Sequence, residues 1–240
     1  MKLCLRLLTV MLFALAVSRL PARADTGADL KTVIATLEGG YALLNDLQAD
    51  FSQRTTIASL KREEKGSGEL FLRKPSGSAA MFRFDYRKPR QQIISNGKTV
   101  WYYLPENKQV MVADVASMFA GGNNVALTYL TGMGHVSRDF SIAFTGNGRD
   151  RKGNYVLELV PKTANQMLAR LQLTISAVAV DRFRTTGSAE EPFPILSSVV
   201  VDNFGNRTHI DYSRVRTNKG LTAGRFTFKV PAGVEVIKNR

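Results

Sequence analysis

From Leu47 to the C-terminus the chain keeps returning to one pattern: a short run of alternating apolar and polar residues, then a tight turn. Alternation with period 2 is the mark of a strand with one face on a core and one on water. "LQADFSQRTTI" puts Leu47, Ala49 and Phe51 on one side, and "GSGELFLRKP" is a strand entered from glycine and stopped at Pro75. "MFRFDYRKP" sets Phe82, Phe84 and Tyr86 against Arg83 and Asp85. "RQQIIS" reaches Asn96-Gly97, a strong hairpin signal; "KTVWYYL" returns, Pro105-Glu106-Asn107 turns, and "KQVMVA" follows. After an interruption come "FSIAFTG", "NYVLELVPK", "LARLQLTIS", "PILSSVVVDN", "RTHIDYSRVR" and "RFTFKVP".

Three stretches break the pattern. Residues 28–47 carry Leu30, Val33, Ile34, Leu37, Tyr41 and Leu44 at spacings of three and four, which predicts an amphipathic helix whose last turns Gly39-Gly40 weakens. Residues 114–131, "DVASMFAGGNNVALTYLT", predict two short apolar helices hinged at Gly121-Gly122, with Asp114 and Asn124 as caps. Residues 178–192 read as a longer loop or flap. About eleven short strands cannot stay flat, so the sheet curls. The expected fold is mainly β with α: an unclosed antiparallel β-barrel of about eleven strands, with a helical lid over the concave face.

Lys2 and Arg6, an apolar run from Leu7 to Val17, and Ala22-Arg23-Ala24 predict a secretory signal peptide over 1–24 and a single domain over 25–240, the lid insert at about 114–131. The apolar run is too short for a stable membrane anchor. The single cysteine, Cys4, lies before that run, so a processed chain has no disulfide, thiol chemistry or lipid anchor. The formal charge of +13 falls to about +9 once Lys2, Arg6, Arg19 and Arg23 are subtracted (13 − 4). The excess is spread out, as "LKREE" and the Asp85 beside "RKPR" illustrate, and reads as a solvated basic surface rather than a nucleic-acid site.

Reactive chemistry is hard to build from these residues. Gly97-Lys98-Thr99 is not a phosphate loop: the required earlier glycine position is Gln92, and a hairpin precedes it where a strand should lead into a helix. His135 and His209 lie far apart with no ligand partner at metal spacing. Glu63-Glu64 and Glu190-Glu191 are adjacent pairs expected in solvated loops, and Asp202 and Asp211 have no evident partner. No Gly-x-Ser-x-Gly elbow occurs. The expectation is a protein with no enzymatic activity, no cofactor and no metal. What remains is apolar: Phe82/Phe84, Phe140/Ile142/Phe144, Leu171/Leu173/Ile175 and Phe226/Phe228 each share one parity. That pattern is equally core packing or the lining of a ligand cavity; glycines at 121, 122, 132 and 134 around the insert favour a cover that moves over a cavity.

"LQADFSQ", "GSGELFLRKP", "FRFDYRKPRQQIISNGKTVWYYLPENKQV" and "GRFTFKVPAGVEV" occur in an order and spacing that resemble the periplasmic outer-membrane lipoprotein carriers, the LolA family. The resemblance is clearest over 47–112 and 197–237. It implies a monomeric periplasmic carrier that takes acylated lipoproteins from an inner-membrane ABC transporter, shields their acyl chains, and passes them to an outer-membrane lipoprotein receptor. Neither nucleic acid nor a cofactor is implied. Phe82 and Phe84 match the family's cavity aromatics and Ile94 a cavity aliphatic on the next strand. The expected cavity lining is Phe51, Leu70, Leu72, Phe82, Phe84, Ile94, Trp101, Phe140, Ile142, Leu171 and Leu173. Met118, Phe119, Leu127 and Leu130 fall in the lid. Where the family commonly has an arginine that latches the lid, this chain has Lys74, preceded by Arg73; lysine lacks the planar fork. The alternatives are a carrier of a glycolipid or phospholipid, or a lipoprotein-binding sensor domain.

Exposing the roughly 40 methylenes of two or three acyl chains to water costs roughly 30 kcal/mol. Since non-covalent affinity saturates near roughly 20 kcal/mol, such a carrier has to recover only part of that or it would not release. Adaptable linings such as Met81, Met111 and Met118 suit varied chains.

Overall fold

The computed structural model describes residues 26–74, 79–115, 135–163 and 168–238. Helix α1 (Thr26–Leu43) leads into twelve strands: β1 (Asp46–Ile57), β2 (Arg62–Arg73), β3 (Met81–Lys88), β4 (Gln91–Ser95), β5 (Thr99–Leu104), β6 (Gln109–Asp114), β7 (Phe140–Arg149), β8 (Tyr155–Pro161), β9 (Arg170–Ile175), β10 (Ile195–Val201), β11 (Arg207–Thr217) and β12 (Glu235–Lys238). Two further helices are α2 (Val136–Asp139) and α3 (Ala177–Thr186), and Ala223–Phe226 forms a 3₁₀ turn.

All twelve strands share one sheet, in the order β12-β6-β5-β4-β3-β2-β1-β11-β10-β9-β8-β7. β12 and β7 end that order unpaired with each other, so the sheet is open. Every pairing is antiparallel except that of β12 with β6. Eleven strands fall on the alternating segments named above. "RFTFKVP" does not: it holds the 3₁₀ turn and irregular chain, and the twelfth strand comes later, at Glu235–Lys238. Glu63-Glu64 lies inside β2 rather than in a loop, beside Arg62 and Lys65.

One face of the sheet, the inner face, carries the main core. α1 covers it with Val33, Leu37 and Tyr41, all fully buried. The Gly39-Gly40 pair, read above as a weakness, is a close-approach site. A Cβ on Gly39 would sit 3.0 Å from the Ala189 Cβ, and one on Gly40 would run into the Glu191 carbonyl and the Pro194 ring. Two glycines therefore let the chain after α3 press against α1. Tyr41 continues the contact to Phe193 (centroids 6.2 Å), which meets Tyr212 of β11 edge-on at 5.4 Å.

The expected flap at 178–192 is half helix. Ser176 caps α3 by accepting from the Ala179 amide, and Gly187 closes it at φ 75°. Both signals were present in the sequence. Val178, exposed, and the Thr185-Thr186 pair hid them by weakening the apolar period.

The other face carries a smaller core under the C-terminal segment. Asp46, buried at the start of β1, anchors that segment: its carboxylate accepts from the amides of Lys219, Gly220 and Leu221 at 2.8, 2.8 and 3.3 Å. Asn218 accepts from the Asn45 amide and donates to the Leu43 carbonyl. The chain then crosses β2 to β5. Phe226 is fully buried, Arg225 stacks on Phe71 at 4.3 Å, and Phe228 packs on Trp101 and Tyr103.

Candidate functional site: the inner apolar face

Paired residues on neighbouring strands point to the same side, so the register assigns each side chain to a face. On the β1–β5 half, one inner row runs Leu47, Leu72, Phe82, Ser95, Val100, and the next runs Ala49, Leu70, Phe84, Ile93, Tyr102. On the other half, Ile210, Ser198, Leu173, Leu157 and Phe144 form one row, and Val200, Leu171, Leu159 and Ile142 another. Phe51 joins the halves. It lies opposite Tyr212 and makes edge contacts with Phe84 (5.5 Å) and Tyr86 (4.8 Å).

The structure thus brings Phe51, Leu70, Leu72, Phe82, Phe84, Phe140, Ile142, Leu171 and Leu173 into one apolar cluster. It does not bring Ile94 and Trp101 there. They pair with each other and, through Arg83, align with Phe71 on the opposite face. Ile94 is fully buried there, and Trp101 packs on Phe228. Ile93 and Tyr102 take the inner positions that were assigned to these two. A one-residue change of register flips every side chain of a strand, and the β3–β4 turn sets it: Phe84 pairs with Ile93, not Ile94.

Met118, Phe119, Leu127 and Leu130 lie outside the described residues. The two latch candidates are described and differ. Lys74 donates from Nζ to the Tyr41 carbonyl at 2.6 Å and lies 5.3 Å from the centre of the Tyr41 ring. It therefore holds the last turn of α1, where the helix dipole favours a cation. Burial lowers the Lys74 ammonium below the usual lysine range. Arg73 points its guanidinium at the Met81 sulfur, 3.9 Å away.

The inner face holds few polar groups and satisfies them locally. Tyr212 and Ser198 share a hydrogen bond of 3.0 Å, and Tyr86 donates to Gln53 at 2.9 Å. Burial pushes the phenols of Tyr41 and Tyr212 well above the ordinary tyrosine value, and that of Tyr86 up to about 12. All three are neutral at physiological pH, so the centre of this face offers oil and neutral hydroxyls, and charge comes in at its edge, where Arg149 stacks on Tyr155 at 3.7 Å.

Gly97-Lys98-Thr99 is a hairpin corner. Asn96 Oδ1 accepts from the amides of Lys98 and Thr99 at 2.9 and 2.8 Å, and Gly97 sits at φ 89°. The aromatics after it divide by parity, Tyr102 inward and Trp101 and Tyr103 outward. Asp202, without evident partner in sequence, closes the β10–β11 turn by accepting from the Phe204 and Asn206 amides.

The sequence matches the family model described as "Outer membrane lipoprotein carrier protein LolA" over residues 42–229. Proteins named "Outer-membrane lipoprotein carrier protein" are similar over four-fifths of the chain or more. That of Pseudomonas aeruginosa is 29% identical over 233 residues, covering 96% of this chain and 97% of its own. That of Methylococcus capsulatus is 31% identical over 195 residues, covering 81% and 82%, and that of Azotobacter vinelandii 28% over 236, covering 98% and 100%. With an open sheet, an apolar inner face and a family match that runs from the end of α1 past Phe228, the chain belongs to the LolA family of outer-membrane lipoprotein carriers.

Proposed function

We propose that this protein is a periplasmic lipoprotein carrier. It shields lipoprotein acyl chains against the inner face of its sheet while they pass from an inner-membrane ABC transporter to an outer-membrane receptor. The observation that carries this reading is the continuous apolar face from β5 to β7, assembled from strands of an open sheet. A closed sandwich needs a second sheet over such a face; here α1, with Phe193 and its neighbours, provides the described cover. Helices held by side-chain packing and a few polar contacts, with no backbone pairing to the sheet, can lift without breaking the strand ladder. Lys74 on the Tyr41 carbonyl is one such contact, and Glu38 accepting from Ser137 is another. On this reading the protein catalyses no reaction and works as a monomer after loss of residues 1–24.

The test is native mass spectrometry of the protein purified from the periplasm of its own host. A bound acylated polypeptide supports the carrier. A free glycolipid or phospholipid in its place transfers the same face to a different cargo, and protein recovered empty under all loading conditions overturns the reading.

A further inference from the structure

The two most exposed large apolar side chains among the described residues are Phe204 (73%) and Leu60 (62%). They lie far apart in sequence but sit on touching turns. Leu60 is in the β1–β2 turn and Phe204 in the β10–β11 turn; Thr56 pairs with Arg207 across β1 and β11, which brings both turns to one end of the sheet. The Ala58 amide donates to Asn206 Oδ1 at 3.0 Å, locking one turn to the other. Between residues 62 and 66 β2 pairs with β1 alone, because β3 begins its pairing at Ser67. The double tip therefore projects past the neighbouring strand.

Cations surround it. Arg54, Lys61, Lys88 and Arg207 have no carboxylate within ion-pair reach among the described residues. Of the nearby acids, Glu63 pairs with Lys65, Glu64 with Arg62, Asp202 is used by its own turn, and Asp211 lies against His209 at 3.2 Å, leaving the cations in excess. Behind the tip lies a polar hollow of about 480 Å³ lined by Ser52, Arg54, Lys65, Ser67, Lys88 and Asp211. At roughly 3.3 Å per strand residue, Arg54 is about 10 Å from the end of β1. That is on the order of the Debye length over which an anionic surface is felt. Exposed apolar side chains at a projecting tip, followed by uncompensated cations, match a lipid surface with negative headgroups.

We propose that the Leu60–Phe204 tip docks this protein on anionic phospholipid bilayers, the two side chains entering the interface while Arg54, Lys61, Lys88 and Arg207 meet the headgroups. The contact is independent of the inner face and requires no cargo. The exported, processed protein, without cargo, is sedimented with vesicles of phosphatidylcholine alone and of an equimolar mixture with phosphatidylglycerol. Binding is expected to the mixed vesicles, weakened by added salt. Leu60→Asp/Phe204→Asp is expected to lose at least about tenfold in affinity, and Val178→Asp, at another exposed apolar residue, to change nothing. Three results each overturn the proposal: no sedimentation of the parent protein with either vesicle, equal binding by the double variant, or a double variant that instead loses only its uptake of cargo from a transporter partner. The last would assign the tip to a protein. Because the vesicles carry no lipoprotein, a negative result here leaves the carrier reading standing, and an empty carrier can still pass this test.

Discussion

Phe84 and Ile94 differ by an even number of positions, which on one strand would put them on the same side. A turn lies between them, and the pairing Phe84–Ile93 sends Ile94 outward. This separates two roles that composition cannot. Ile94→Ala and Trp101→Ala should destabilise by roughly 2–5 kcal/mol through lost packing under the C-terminal segment, yet leave cargo loading intact at matched folded fraction. Phe82→Glu or Phe84→Glu should block loading. Both side chains are buried, so Phe84→Ala, costing roughly 3–5 kcal/mol, is the companion variant; urea melts give stability and native mass spectrometry gives loading. The parity of Phe82, Phe84, Leu171 and Leu173 was legible because each pair lies within one strand. That of Ile94 and Trp101 was not, because it depends on a register no local pattern specifies. Tyr86 offers a further check. Burial, and then Tyr102, pushes its phenol up from 10.0 to about 12 in the fold. The folded state therefore holds this proton longer. The stabilisation is complete below about pH 10 and is lost between about 10 and 12, amounting to roughly 3 kcal/mol. Tyr86→Phe should flatten that part of the stability–pH curve measured by denaturant titration.

At the scale of elements, the informative pieces are α1, α3 and the segment that joins α3 to β10. Gly40→Ala would drive a methyl into the Glu191 carbonyl, where backbone cannot yield cheaply. A loss of roughly 1–3 kcal/mol is expected, with α1 and residues 189–194 losing hydrogen-exchange protection together. Ser176→Ala should cost about 1 kcal/mol by removing the α3 cap, read by the same melts, without touching α1. The hairpins were legible because their turns are chemically specified, Asn96-Gly97 above all. α3 was missed because its caps were outweighed by a poor apolar period. β12 was missed because four exposed residues, Glu235 to Lys238, carry no inward stripe; that edge is joined by backbone pairing to β6.

For the whole molecule, the centre of the inner face is covered: Phe82, Phe84, Leu171 and Leu173 are each at most 3% exposed. Loading needs the cover displaced, and Lys74 is one of the described ties on the end of α1, with Asn218 on the Leu43 carbonyl another. Lys74→Met should raise exchange at the amides of residues 41–44 by roughly tenfold while the β1–β11 ladder stays protected. Equal acceleration in both would mean that α1 and sheet open as one unit and that no separate cover exists. The sheet has a temporal consequence as well. β1 joins β2 next to it in sequence but also β11, with Leu47 facing Thr217, and Asp46 waits for Lys219 to Leu221. Contacts of such long separation form late. The ribosome must finish nearly the entire polypeptide before its central ladder can zip, leaving β1 with only one of its two neighbours for most of synthesis.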